Sequence, residues 1–117
     1  MRPLLPLLAL ILAGCASPAA TGTVAVTATI GPTQPVCQAD RPCSGPYDGA
    51  LELVRADGKA VQSFTTANGA ATLHAAAGTY TIRHTDGHGW PACRSDPFTV
   101  TAGATVQAAV ECDSGIR

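Results

Sequence analysis

From Thr23 to Ile30 the chain alternates strictly: Val24, Val26, Ala28 and Ile30 fall on one side, Thr23, Ala25, Thr27 and Thr29 on the other. Successive side chains of a strand point to opposite faces, so this period of two predicts a half-buried strand. Gly31-Pro32 ends it, and the segment to Asp48 carries Pro32, Pro35, Pro42 and Pro46 among few apolar residues. Proline cannot donate to a strand ladder, so this stretch reads as a long loop. A loop of such length in a small domain is pinned down or binds something, and pinning is the expectation here.

Beyond Gly49 the strand signals come at short intervals. Ala50–Arg55 places Leu51 and Leu53 on one face, and Ala56-Asp57-Gly58 reads as a turn. Lys59–Thr66 places Val61 and Phe64 inward with a broken phase that predicts a bulge. Asn68-Gly69 is a strong hairpin signal because both residues tolerate positive φ. Ala70–Ala76, Thr79–His84, Pro97–Thr101 and a last run through Val106, Ala108 and Val110 to Cys112 complete the series, with Asp86–Cys93 a Gly-, Pro- and Trp-containing loop. No stretch combines a helical period with caps. About seven short strands with turns every 8–12 residues predict an all-β, antiparallel β-sandwich.

The first residues follow a different pattern. Leu4 to Leu12 is apolar apart from Pro6, behind the single charge of Arg2, and Leu12-Ala13-Gly14-Cys15 closes the run. The run is too short for a membrane span, which needs roughly 20 apolar residues. It resembles a bacterial lipoprotein signal, in which the cysteine thiol receives a diacylglycerol and becomes the first mature residue. That resemblance implies a cleaved leader at 1–14, a lipidated Cys15 opening a short tether at 15–22, and a sandwich at 23–117. An ordinary secretory signal with an incidental cysteine is the alternative.

Charge and cysteines narrow the compartment. Without Arg2 the mature chain has 7 − 1 = 6 basic against 8 acidic residues, so nothing in its charge draws nucleic acid. With Cys15 set aside, Cys37, Cys43, Cys93 and Cys112 remain, an even number for an oxidising compartment. Four cysteines allow three pairings. Cys37–Cys43 and Cys93–Cys112 are favoured because each brackets a local unit, Cys93 lying before the strand at 97–101 and Cys112 after its expected hairpin partner. No Cys-x-x-Cys spacing points to zinc.

In order, Pro46-Tyr47-Asp48-Gly49-Ala50, Ala56-Asp57-Gly58, Thr66-Ala67-Asn68-Gly69, Gly78-Thr79-Tyr80-Thr81-Ile82, Phe98-Thr99-Val100 with Ala102-Gly103, and Cys112-Asp113-Ser114-Gly115-Ile116-Arg117 cover nearly all of the mature chain. With these elements the chain resembles a carboxypeptidase regulatory-like domain of the transthyretin-like (prealbumin-like) class. It departs at Asn68-Gly69-Ala70-Ala71, where the family commonly has Asp-Gly and an aromatic, and at Ala77-Gly78, where it has Pro-Gly. In the peptidases that name the family this domain is an accessory beside a zinc catalytic domain, and the resemblance implies no catalytic residue here. The related hydroxyisourate hydrolases end in Tyr-Arg-Gly-Ser, which this chain lacks.

Candidate chemistry is sparse. His84 and His88 flank Asp86, but His-x-x-x-His shares a face only on a helix, so loop histidines are expected and a metal site is the alternative. No Gly-x-Ser-x-Gly elbow occurs, and Lys59 and Asn68, the sole Lys and Asn, both sit beside turns where an isopeptide crosslink is not expected. Tyr47 and Trp90 mark two possible binding loops. Trp90 is expected to cap the sandwich end, with docking on a sugar ring or a protein pocket as the other reading. The expectation is a non-catalytic module without cofactor, held to a membrane by lipid on Cys15, with an envelope protein or carbohydrate as partner. Ala16 after the cysteine favours an outer membrane in a Gram-negative cell. A periplasmic metal-binding protein or metal-dependent enzyme using His84 and His88 is the alternative.

Overall fold

The computed structural model describes residues 20–37, 43–85 and 90–116. Cys15 and His88, and with them the leader and most of the tether, lie outside these residues. Nine strands form among the described residues: β1 (Thr21–Gly31), β2 (Gly45–Pro46), β3 (Ala50–Arg55), β4 (Ala60–Thr65), β5 (Ala70–Ala76), β6 (Gly78–His84), β7 (Ala92–Ser95), β8 (Phe98–Val100) and β9 (Thr105–Asp113). No helix among the described residues is long and apolar enough to cross a membrane.

The strands run in the order β2-β1-β9-β7-β6-β3-β4, with β5 also on β1 and β8 also on β6. One layer is therefore β5 and β2 against β1, then β9; the other is β8 against β6, then β3 and β4. Short β7 joins the layers at one end by pairing with both β9 and β6. Val24, Val26 and Ala28 of β1, Leu73 of β5 and Ala108 and Val110 of β9 meet Leu51 and Leu53 of β3, Tyr80 and Ile82 of β6 and Val100 of β8 in one buried cluster. The all-β sandwich and most strand boundaries match the period-two reading.

The structure departs from that reading in ways that matter for the surface. β1 begins at Thr21, so the last two residues assigned to a tether belong to the sheet. Gly22 is buried there, and a Cβ on it would stand 2.8 Å from Val100 Cγ1, which leaves no room for a side chain. Thr23 N–H donates to Ala104 O (2.9 Å) and Gly103 N–H to Thr21 O (2.9 Å), fastening this end of β1 to the turn after β8.

β1 and β9 pair in parallel over nine positions, although a purely antiparallel sheet was expected. Their alternations are in phase, so Val24 lies beside Val106, Val26 beside Ala108 and Ala28 beside Val110, and the inward residues of both strands fall on one side. The strand at 98–100 pairs with β6 and not with β9. Asn68 and Gly69 take φ of 55° and 72° as their types suggest, and Ala67 and Ala70 exchange two 3.0 Å hydrogen bonds around them. No hairpin results: β4 pairs with β3, whereas β5 crosses to β1.

The expected bulge is present, and Val61 is the extra residue: Leu53 faces Gln62 and Val54 faces Ala60, so Val61 drops out of register and is 44 % exposed instead of inward. Tyr47 is 8 % exposed and belongs to the core cluster, so it serves packing and does not present its ring to a partner. Burial raises its phenol pKa above the ordinary value.

The segment that carries Tyr47 is held by Thr66, 2 % exposed. Its hydroxyl donates to Tyr47 O (2.6 Å) and accepts from Gly49 N–H (3.1 Å). Removing it leaves two backbone groups without that partner, Tyr47 O in a buried position and Gly49 N–H in a half-buried one. Thr66→Val is therefore expected to lower unfolding free energy by about 1–3 kcal/mol, read as a fall in the urea midpoint, while Thr66→Ser keeps most of the stability; equal midpoints for Thr66→Val and wild type would contradict this.

Candidate functional site

At the end of the sandwich where β7 bridges the layers, β6 and β7 pair at a single position, Arg83 opposite Arg94. Beyond it His84 continues on β6 and Cys93 on β7 without pairing to each other, and the strands part. The gap opens as a groove of about 670 Å³, bordered by Arg83, His84, Trp90, Arg94, Glu111 and Asp113 among others, with Cys93 and Cys112 in its lining.

Register explains the polar wall. Glu52 lies opposite Arg83, Arg83 opposite Arg94, and Arg94 opposite Glu111, so four residues on four successive strands line up across the sheet, Glu52 buried and the other three exposed at the groove. Arg83 Nε donates to Glu52 Oε2 at 2.5 Å, which draws its guanidinium toward β3 and away from its like-charged neighbour. Arg94 and Glu111 form no ion pair among the described residues, although they face each other across β7 and β9. In the turn before β4 a hydrogen bond from Arg55 holds the Asp57 carboxyl below its usual range, and both side chains are exposed.

The opposite rim comes from the C-terminal segment. Ser114 N–H donates to Gly31 O (3.1 Å) and its hydroxyl to Pro32 O (2.6 Å), Gly115 N–H donates to Asp113 Oδ1 (2.9 Å), and Thr33 N–H donates to Cys43 O (2.9 Å). These bonds bind the tail to the start of the Pro-rich segment. Trp90 packs across Gly115, where a Cβ would sit 3.0 Å from the indole Cδ2, yet the ring is 62 % exposed. It borders the groove and does not cap the core.

Both favoured disulfides form, Cys37–Cys43 and Cys93–Cys112. The first joins two residues in the interior of the Pro-rich segment. The second joins residues directly opposite each other on β7 and β9, a closer relation than the hairpin ends inferred from sequence, because Cys93 sits within a strand that sequence patterning took for loop. His84 is half-buried at the groove, His74 is exposed with its Nδ1 3.4 Å from Thr23 Oγ1, and His88 lies outside the described residues. No group of three or more His, Cys, Asp or Glu among the described residues could hold a metal ion.

Among solved structures the chain is similar to GBS52, the minor pilin of the gram-positive pathogen Streptococcus agalactiae, at 16 % identity and a TM-score of 0.55. The shared fold is a β-sandwich. The match covers 81 % of this chain and 45 % of GBS52, so the chain spans less than half of that protein. A second, looser likeness, to the pilus-presented adhesin Spy0125 (Cpa), has 12 % identity and a TM-score of 0.30 over 82 % of this chain and 28 % of the other, too low to bear on the fold. No family model matches the chain. No curated protein matches it either.

Arg94 and Glu111 escaped the sequence reading. Their phase within strands marks them as outward, but their adjacency to Arg83 depends on register, which no local signal carries. Of the two disulfides, Cys93–Cys112 closes the longer loop, 19 residues against 6. Loop entropy makes it worth about 3 kcal/mol and the shorter one about 2. Replacing both Cys93 and Cys112 by Ala is expected to lower the urea midpoint further than the same change at Cys37 and Cys43; the reverse order would show that β7 is not what closes the sandwich.

Proposed function

We propose that the chain is a non-catalytic, lipid-anchored module of the bacterial cell envelope that works by binding or structural contact. The observation that carries this reading is the cysteine arithmetic. The chain has 5 cysteines, 4 are joined in crosslinks within the sandwich, and the one left over is Cys15, at the position of the lipoprotein signal where a free thiol is needed. Structural disulfides belong to oxidising compartments, which agrees with export by the leader. Two or three acyl chains hold a protein firmly where one would not.

The minor-pilin fold of GBS52 supports a surface role built on contact. The resemblance to carboxypeptidase regulatory-like domains, which stand beside catalytic domains and carry no chemistry of their own, supports the same role. The partner is an envelope protein or a carbohydrate, and the outer membrane is the site in a Gram-negative cell. Replacing Cys15 by Ser is expected to move the chain from the membrane pellet to the soluble fraction and to abolish labelling by radioactive palmitate. A Cys15→Ser chain that still sediments with membrane would overturn the anchor.

A further inference from the structure

The groove between β6 and β7 has a composition that points to a class of ligand. Its lining includes Arg83, whose charge is met by Glu52, together with Arg94, Glu111 and Asp113. An arginine offers donors only and a carboxylate acceptors only, so the lining holds both kinds of group with no excess of positive charge. Hydroxyl groups, which donate and accept at once, match that pattern. Trp90 adds a broad apolar ring, 62 % exposed, that lies over Gly115. An aromatic ring is favourable to a partner that has one apolar face and a polar rim. The volume of about 670 Å³ lies inside the range of roughly 300–1,000 Å³ usual for small-ligand pockets.

We propose that this groove binds a neutral oligosaccharide of two or three units, with the C–H face of one pyranose ring on Trp90 and its hydroxyls shared between Arg94 and Glu111. Arg83 is already committed to Glu52, whereas Arg94 lines the groove without an ion pair among the described residues. A polyanionic sugar would meet Glu111 and Asp113, and its carboxylates would be repelled. This deepens the binding role proposed above and rests on it, but not on the anchor, because the groove is formed by the sandwich alone.

Trp90 is the only tryptophan in the chain, so its fluorescence reports on this groove and nothing else. The purified full-length chain is titrated with maltotriose, cellotriose and triacetylchitotriose to millimolar concentration. The expected result is a saturable shift in Trp90 emission with at least one of them, weakened about tenfold or more in both Arg94→Ala and Glu111→Gln, with urea midpoints of both variants at the wild-type value. Glu111→Gln keeps size and polarity, so it remains informative if Arg94→Ala folds poorly. The proposal is overturned by the absence of a saturable shift with all three sugars, by equal binding in wild type and Glu111→Gln, or by tighter binding of trigalacturonate or of a neutral tripeptide. Cys15→Ser chains are expected to bind equally well, which separates failure of the groove from failure of the anchor.

Discussion

The parallel pairing of β1 with β9 is the constraint from which the rest follows. It sets the first and last strands side by side with their inward residues in phase, so that one layer of the core is built from both ends of the domain. With β9 fixed in that register, Cys112 faces Cys93 and β7 is pinned over the end of the sandwich. β7 then reaches β6 at only one position, and the strands part into a groove. Had β9 paired with the strand at 98–100 as a simple hairpin, neither the bridge between layers nor the row from Glu52 to Glu111 would exist.

The core itself is modest. Its inward residues are largely Val, Ala and Leu, with Tyr80 and Phe98 stacked at a centroid distance of 6.2 Å as its main aromatic contact. Small domains bury a smaller fraction of their surface than large ones, and crosslinks offset the deficit. The two disulfides are placed where that matters: one across the strands that close the sandwich, the other at the Pro-rich segment, which has few apolar residues with which to hold itself. Thr66 does the same by hydrogen bonds for the turn that delivers Tyr47 to the core.

Much of this was legible in the chain. Strict alternation in β1 and β9 and the spacing of turns sufficed for an all-β sandwich, and local bracketing sufficed for the cysteine pairing. What stayed hidden depends on which strand lies beside which. Asn68-Gly69 makes the turn its residue types favour, but whether a turn joins two partners or passes a strand to the other layer is decided by distant packing. Val61 looked inward until a register shift removed it from the ladder. Tyr47, set among prolines, looked like a loop residue, and Trp90, expected at the core, stands at the rim. Arg94 and Glu111 were unremarked because neither is distinctive alone; four strands in register make them a surface.

We propose an exported sandwich in which four cysteines stabilise the fold and the fifth carries the anchor. Intact mass of the chain extracted from membranes under non-reducing conditions tests both halves at once. The account predicts a species that begins at Cys15, lacks four hydrogens for its two disulfides and carries the added mass of a diacylglycerol, with or without a further acyl chain. An unmodified Cys15, or free thiols among Cys37, Cys43, Cys93 and Cys112, would contradict it.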